Sequence, residues 1–179
     1  MGTTILVAAN EKLPFGPSII GAIIRDTAQR AIESYRKENG PWDLFGFRRG
    51  AVTVTQFGGK TIFGSNSASP TYTRADDVAA RRLRDVLVDK YPDTMKQDNI
   101  GEKPNDAVFH AETTILLRAA RENGGTLANQ TLEVHADRAM CRSCRKVLPF
   151  IGLELGNPVV TFVDRSGRTQ TMKNGNWLP

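Results

Sequence analysis

The sequence predicts an α/β domain in which helices pack against a mixed sheet of five strands. Segments with helical spacing of apolar residues alternate along the chain with short segments that have the two-residue period of strands. Gly58-Gly59 separates two of the strand-like segments, which predicts a hairpin at the start of the sheet. The later strands alternate with helices, and such crossovers place successive strands parallel to one another.

The predicted elements follow in a simple order. Strands are predicted at residues 51–57, 60–63, 131–136, 158–163 and 168–172. Helices are predicted to begin near Ser18, Thr73, His110 and Cys141. Pro149 is expected to bend or end the last helix. The turn before the fifth strand is too short for a crossover helix, so we expect that strand to run antiparallel to the fourth.

Two regions lie outside this regular core. Residues 1–50 comprise an irregular lead-in, 1–17, and the first amphipathic helix, which ends at Asn39. Residues 71–107 resemble an insertion between the hairpin and the helix that begins at His110. The insertion carries a helix with a capping box at its start and then a polar loop, which we expect to lead onto the rim of the site.

Composition limits the possible classes of protein. The chain has 179 residues, enough for one domain with a substantial core, so we expect residues 1–179 to form a single domain. The mean hydropathy of −0.34 is typical of a soluble globular protein. We find no apolar run long enough to span a bilayer and no ordinary secretory signal. A net charge of +5 and a pI near 9.5 favour a polyanionic partner without requiring one.

Residues able to bind a metal are concentrated in two short motifs. His110 and Glu112 form H-x-E, and both cysteines of the chain, Cys141 and Cys144, form one C-x-x-C. Catalytic zinc commonly takes three protein ligands and leaves its fourth tetrahedral position to water, and two thiolates with one imidazole are an accepted set. Cys141 lies where a strand gives way to a helix, and a helix N-terminus favours thiolate. We therefore predict a zinc site formed by His110, Cys141 and Cys144.

Glu112 is the predicted catalytic residue. It lies too close to His110 to share the metal easily, but it is well placed to reach a metal-held water and to act as a proton shuttle. Other interpretations of the cysteines are a redox pair or half of a structural zinc knuckle. A structural site needs a fourth ligand, and the spare candidate, His135, lies in a predicted strand as a side chain of the sheet face. Neither interpretation explains H-x-E.

The combination of H-x-E and C-x-x-C resembles the zinc-dependent nucleobase deaminases of the cytidine deaminase-like superfamily. Residues 140–149 and 155–162 are similar to deaminase domains of bacterial polymorphic toxins, including those that act on single-stranded DNA. The resemblance covers the chain from roughly residue 50 onward and implies a three-layer α/β/α cytidine deaminase-like fold. Met140 departs from the superfamily, which usually has proline there, so the shape of the base pocket does not follow from the resemblance.

The resemblance also implies a function. The chain would be a zinc-dependent hydrolase that converts cytosine to uracil in single-stranded DNA, with Zn²⁺ as its cofactor. It would be the toxic domain of a larger exported polypeptide that works in the cytoplasm of a target cell. Its partners would be single-stranded nucleic acid, with DNA favoured, and an immunity protein that neutralises it in the producing cell.

Several residues are candidates for contacting the substrate. Deaminases of this superfamily often place an asparagine after the second strand, and Asn66 matches it, although turn formation explains Asn66 equally well. Free-cytidine deaminases have a glutamate where this chain has Ala68, which favours a substrate held through phosphates. The remaining candidates are the backbone near Ala111 and Cys141, the rings of Phe63, Phe109 and Trp177, and the cations Arg142, Arg145 and Lys146.

Two alternatives stay open. In the first, the chemistry is the same but the substrate is RNA, double-stranded DNA, adenine or a free nucleotide, because the related toxin families are diverse. In the second, the chain is a catalytically idle zinc module that binds nucleic acid or an immunity protein. An intact Glu112 argues against the second alternative, since a purely structural site has no use for that carboxylate.

Overall fold

The computed structural model describes residues 17–40, 50–95 and 107–179. The helices are α1, Pro17–Glu38; α2, Arg74–Lys90; α3, Pro92–Met95; α4, Ala111–Glu122; and α5, Arg142–Glu154. The strands are β1, Val52–Phe57; β2, Lys60–Ser65; β3, Thr131–Ala136; β4, Val159–Val163; β5, Thr169–Lys173; and β6, Asn176–Trp177. Nearly all of the predicted lead-in and of the polar loop predicted after α3 falls outside the described residues. Within the described ranges, no helix has both the length and the apolar character needed to cross a bilayer.

The strands form a single mixed sheet in the order β2-β1-β3-β4-β5-β6. β3 and β4 are parallel, whereas the pairs β1–β2, β1–β3, β4–β5 and β5–β6 are antiparallel. The predicted count of five strands is wrong, because a sixth follows a tight turn. Asn174 and Gly175 have φ values of 52° and 71°, as a type I′ hairpin turn requires, and the chain pairs again for two residues.

Helices cover both faces of the sheet. Val52 and Val54 pack with Ile32 of α1 in a small buried cluster. Thr53 lies between the two valines and points to the opposite face, where its hydroxyl donates a 3.0 Å hydrogen bond to the carbonyl oxygen of Ala111 in α4. The two-residue period of β1 therefore separates the α1 side from the α4 side.

The larger core lies on the α4 side, where α2, α4 and α5 cover the sheet. Its fully buried members include Leu87, Phe109, Ile115, Leu148 and Ile151. Burial of such side chains stabilises the domain by roughly 1.5–3 kcal/mol each. The predicted zinc ligands lie at one end of this core, where the first turns of α4 and α5 meet.

α2 begins with the predicted capping box. The Thr73 hydroxyl accepts a 3.2 Å hydrogen bond from the Asp76 backbone N–H, and the Asp76 carboxylate accepts one of 2.9 Å from the Thr73 N–H. The same carboxylate accepts hydrogen bonds of 2.6 and 2.8 Å from the guanidinium groups of Arg118 and Arg121. Asp76 thus joins the start of α2 to α4 through a buried ion pair.

α5 continues past Pro149, so of the two predicted effects of this proline, a bend or an end to the helix, the end does not occur. Proline has no N–H to donate to the carbonyl of Arg145 one turn earlier. Trp177 of β6 replaces that donor, because its indole Nε1 donates a 2.7 Å hydrogen bond to the Arg145 carbonyl oxygen. The helix therefore continues to Glu154 with this carbonyl satisfied.

Gly64 of β2 allows α4 to lie unusually close to the sheet. A Cβ atom at this position would lie 2.4 Å from both the Ala111 carbonyl oxygen and the Thr53 hydroxyl oxygen, and 2.7 Å from Cβ of Ile115. Two of these neighbours belong to α4, so any side chain here would push away the helix that follows His110.

We predict that Gly64→Ala lowers the free energy of unfolding by about 1–3 kcal/mol, because α4 must move to relieve the overlap. Gly21→Ala is the matched control, since no atom lies within 4 Å of the added Cβ in α1. It should be neutral or stabilising by up to about 1 kcal/mol. Urea denaturation measures both variants, and equal stability of the two would contradict the close approach.

Asp76 should make stability depend on acidity. Burial alone would raise the pKa of its carboxyl, but hydrogen bonds from Arg118, Thr73 and Arg121 outweigh burial and hold the pKa well below its ordinary value. A depressed folded-state pKa stabilises the protein above the unfolded value of about 3.9, and this stabilisation is lost as the pH falls below it.

We predict that Asp76→Asn costs about 3 kcal/mol at pH 7, because it leaves the buried Arg118 without its counter-ion. Its stability should also decline less between about pH 5 and pH 2 than that of the parent protein. The measurement is urea denaturation across that pH range. Asp85→Asn is the control, since Asp85 is largely exposed. An unchanged pH dependence in Asp76→Asn would refute the role of this carboxylate.

Candidate metal centre

His110 is held at the point where α4 begins. It occupies the N-cap position in an extended conformation, with φ −87° and ψ 163°, and its side chain makes no capping hydrogen bond. The hydroxyl of Thr114 donates a 3.0 Å hydrogen bond to the His110 carbonyl oxygen. On the preceding side, the backbone N–H of Ser67 donates a 3.0 Å hydrogen bond to the carbonyl oxygen of Phe109. The imidazole is therefore directed by its backbone and is not used to cap the helix.

Cys141 is the N-cap of α5, and its sulfur accepts a 3.3 Å hydrogen bond from the backbone N–H of Cys144. The loop before it is anchored by Asp137. The Asp137 carboxylate accepts a 2.8 Å hydrogen bond from Nε of Arg36 in α1 and a 3.2 Å hydrogen bond from the backbone N–H of Val52. These hydrogen bonds anchor the loop before C-x-x-C to both α1 and β1.

The three predicted ligands converge. Nδ1 of His110 lies 3.2 Å from Sγ of Cys144 and 3.5 Å from Sγ of Cys141, and the three donor atoms all lie within 4.8 Å of one another. In a tetrahedral zinc site, with Zn–S of about 2.3 Å and Zn–N of about 2.0 Å, a sulfur and a nitrogen ligand are roughly 3.6 Å apart. The donor set and its spacing therefore fit a zinc ion.

The two thiols have different acidities in the absence of a metal. The pKa of Cys141 is lowered to about 4, chiefly because the Cys144 thiol donates to its sulfur, with further help from His110 and the Cys144 backbone against the effect of burial. The pKa of Cys144 is raised well above its ordinary value by the same hydrogen bond and by burial. Cys141 at the helix N-terminus is thus the thiolate of the pair.

Glu112 lies beside these donors in the first turn of α4. Its side chain is buried, with 4% of its surface exposed. Burial raises the pKa of the Glu112 carboxyl, while a hydrogen bond from its own backbone N–H and the nearby His110 act in the opposite direction. A carboxyl in this setting can both accept and return a proton, which general acid–base chemistry requires.

A cavity of about 460 Å³ opens next to Glu112, at the carboxyl edge of the parallel strands β3 and β4. This is the edge where open α/β sheets bind ligands. Buried Glu112 and Phe162 form part of its wall, together with half-buried Gln170. Its charged lining residues are the exposed Arg138, Arg145 and Arg168 and the half-buried Asp164.

The residues predicted to contact a substrate lie in several different settings in the structure. Asn66 uses its side-chain oxygen to accept a 2.9 Å hydrogen bond from the Ala68 N–H, which is a turn interaction. Phe63 stacks on Tyr35 with ring centroids 4.1 Å apart, and Phe109 is completely buried. Phe109 lies within the larger core and Phe63 packs against the smaller one, and neither lines the cavity beside Glu112. A nucleoside contact by Asn66 stays a prediction.

The other candidates are distributed around the same edge. Ala111 is fully buried and its carbonyl oxygen is bonded to Thr53. Arg142 is exposed on the first turn of α5, and Arg145 lines the cavity. Trp177 packs against Phe162 and supports α5 rather than facing the cavity. His135 lies on β3 opposite Val54, on the α1 side, and bonds to Glu133 away from the metal ligands.

β5 and the turn before it contribute residues to the cavity that were not predicted from the sequence, among them Gln170 and Arg168. The signal available was the predicted antiparallel pairing of the last two strands, which brings residues after the turn back to the carboxyl edge of β4. Arg36 and Asp137 gave no signal, because nothing in the sequence joins a residue in α1 to the loop after β3.

Comparison with known proteins does not identify the chain. No protein-family profile matches the sequence, and neither does any of the curated proteins with which it was compared. The class of site is therefore defined by geometry alone, as a group of two cysteines and one histidine positioned to hold a metal ion.

We predict that the purified protein binds one zinc ion per chain and that Cys141→Ser loses it. Serine preserves an N-cap oxygen for α5 but removes the thiolate, so the fold should persist while zinc affinity falls by more than the roughly 10- to 100-fold typical of outer-shell changes. Elemental analysis with a competing chelator provides the measurement. His135→Asn should retain zinc, and loss of zinc in that control would show that the ligand set is incorrectly assigned.

Proposed function

We propose that the chain is a zinc-dependent hydrolase that deaminates a nucleobase, with cytosine in single-stranded DNA as the favoured substrate. The observation that carries the proposal is the position of Glu112. Its buried carboxyl lies beside a histidine and two cysteines that can hold a metal, and it lines a cavity at the ligand-binding edge of the sheet. A zinc module without catalytic activity has no need of a buried carboxylate there.

His110, Cys141 and Cys144 would hold the zinc ion. When bound, zinc would supply the Lewis acidity that lowers the pKa of a coordinated water to about 7. Glu112 would accept the proton of that water as it attacks C4 of the base. Glu112 would deliver that proton to N3, then take the remaining proton of the hydroxyl added at C4 and pass it to the amino group as the C4–N bond breaks, so that water and cytosine yield uracil and ammonia.

The arrangement of helices and strands supports the deaminase proposal. Helices lie on both faces of a mixed sheet, the two motif-bearing helices begin at one edge, and β5 returns antiparallel to β4. These features agree with the three-layer cytidine deaminase-like fold that the motifs imply. Membership of that superfamily is part of the proposal.

A polymeric substrate is favoured by the charges around the cavity. Arg138, Arg145 and Arg168 line it and are exposed, so they are placed where phosphates could remain hydrated. Ala68 replaces the carboxylate that holds ribose in free-cytidine deaminases. The similarity to toxin domains further suggests action in a target cell after export as part of a larger polypeptide, with an immunity protein as the inhibitory partner.

We predict that Glu112→Ala reduces deamination by about 100-fold or more while zinc stays bound, because the proton shuttle is lost but the ligands are not. The assay incubates the protein with single- and double-stranded DNA and RNA, followed by sequencing for C-to-T and A-to-G changes. Ammonia release from free cytidine, cytidine nucleotides and adenine-containing counterparts is measured in parallel.

Glu122→Gln is the matched control, since Glu122 lies at the exposed end of the same helix and pairs with Lys60. It should retain full activity. Turnover that survives in Glu112→Ala would remove the assigned role. No conversion of any substrate by the zinc-loaded wild-type protein would overturn the proposal in favour of a binding module, and conversion of RNA or adenine alone would correct the substrate.

A further inference from the structure

Gln170 is a half-buried, neutral polar side chain in the wall of the cavity beside Glu112. It lies on β5 directly opposite Phe162 of β4. Residues opposite each other in an antiparallel pair project to the same face. The neighbouring pair on that face is Val160 and Met172, which belong to the core beneath α5. Gln170 therefore points to the helix-covered side that contains the metal ligands.

The residues that line the cavity differ in their exposure to solvent. Arg138, Arg145 and Arg168 are exposed, whereas Phe162 and Glu112 are buried and Gln170 is half-buried. A neutral aromatic base is favoured at the inner surface, while phosphates are favoured at the mouth, where they keep their hydration. Gln170 is less exposed than the arginines and is an uncharged polar side chain next to the buried wall, where a base would lie.

The carboxamide of Gln170 is available for a ligand. It makes no hydrogen bond with any other residue of the segments 17–40, 50–95 and 107–179. Arg168, in contrast, donates a 2.9 Å hydrogen bond to Asp164 from its Nε. A glutamine amide has two N–H donors and one carbonyl acceptor, so it can recognise the edge of a base directly.

We propose that Gln170 determines base selectivity by donating a hydrogen bond from its side-chain amide to the 2-carbonyl oxygen of cytosine. The inference rests on the proposed function, in which Glu112 serves the N3 and amino side of the same base. The 2-carbonyl is the remaining acceptor on that edge. Adenine has a C–H group at the corresponding position and would leave the amide unpaired, so this contact favours cytosine over adenine.

The test combines a change in the protein with a change in the substrate. Gln170→Met keeps the length and shape of the side chain but removes the donor. Replacing cytosine by 2-thiocytosine in single-stranded DNA replaces the carbonyl oxygen with a weakly accepting sulfur. If the two changes remove the same hydrogen bond, their effects on kcat/KM will not add. A merely structural role would lower kcat/KM equally for both substrates.

In the wild-type protein, sulfur substitution should lower kcat/KM by about 3- to 10-fold, the usual range for one neutral hydrogen bond. Gln170→Met should lower kcat/KM for cytosine by a similar factor and should show little further loss with 2-thiocytosine. Its preference for cytosine over adenine should decrease by the same factor. Gln56→Met is the control, because Gln56 is exposed on β1 and pairs with Thr61.

The outcomes distinguish this inference from the proposed function. If the wild-type protein deaminates cytosine but Gln170→Met retains the full sulfur effect and the full base preference, the role of Gln170 is refuted and the proposed function stands. If the wild-type protein converts no base, the proposed function fails and the inference fails with it. Loss of the sulfur effect in Gln170→Met, with the effect intact in Gln56→Met, supports the inference.

Discussion

The structure depends on the meeting of two helix N-termini at one edge of a sheet. α4 begins at His110 and α5 begins at Cys141, and the donors at these two positions lie 3.5 Å apart although a strand and its loops separate them in sequence. A helix N-terminus stabilises thiolate, and its N-cap residue has an extended backbone that directs the side chain outward. Neither helix could supply a metal site alone.

Several residues without a proposed chemical role support the packing around the two helix N-termini. Gly64 lets α4 approach β2, and Thr53 donates a hydrogen bond to the buried carbonyl of Ala111 in the first turn of that helix. Arg36 and Asp137 connect α1, β1 and the loop before Cys141. Metal ligands must be positioned within a fraction of an ångström, so these supporting contacts determine whether the donor atoms keep the spacing that a metal ion requires.

Local sequence signals predicted much of this arrangement. Periodicity identified α1, α2, α4, α5 and five of the six strands, and the capping box at Thr73 was correctly recognised. The three donors were identified by type and spacing, since the chain has two cysteines and two histidines to assign. The features that were not predicted depend on tertiary contacts. The carbonyl of Arg145, which Pro149 leaves without a helical donor, is satisfied by Trp177, and Trp177 lies in a strand that was not predicted.

The charged side chains around the cavity differ in their burial. Arginine side chains lie at the cavity mouth, and a carboxyl with a raised pKa lies at its inner wall. The cost of burying Glu112 is offset when it shares a proton with a reacting group, so its position is easier to understand as functional than as structural. Strand pairing brings together the residues that line the cavity, and no short sequence motif predicts that pairing.

X-ray absorption spectroscopy at the zinc edge tests the central claim most directly, because it reports the atoms bound to the ion. We predict a first shell with two sulfur atoms at about 2.3 Å and nitrogen or oxygen atoms at about 2.0 Å. A first shell without sulfur, or one with four sulfur atoms shared between two chains, would contradict a site formed by His110, Cys141 and Cys144 of one chain.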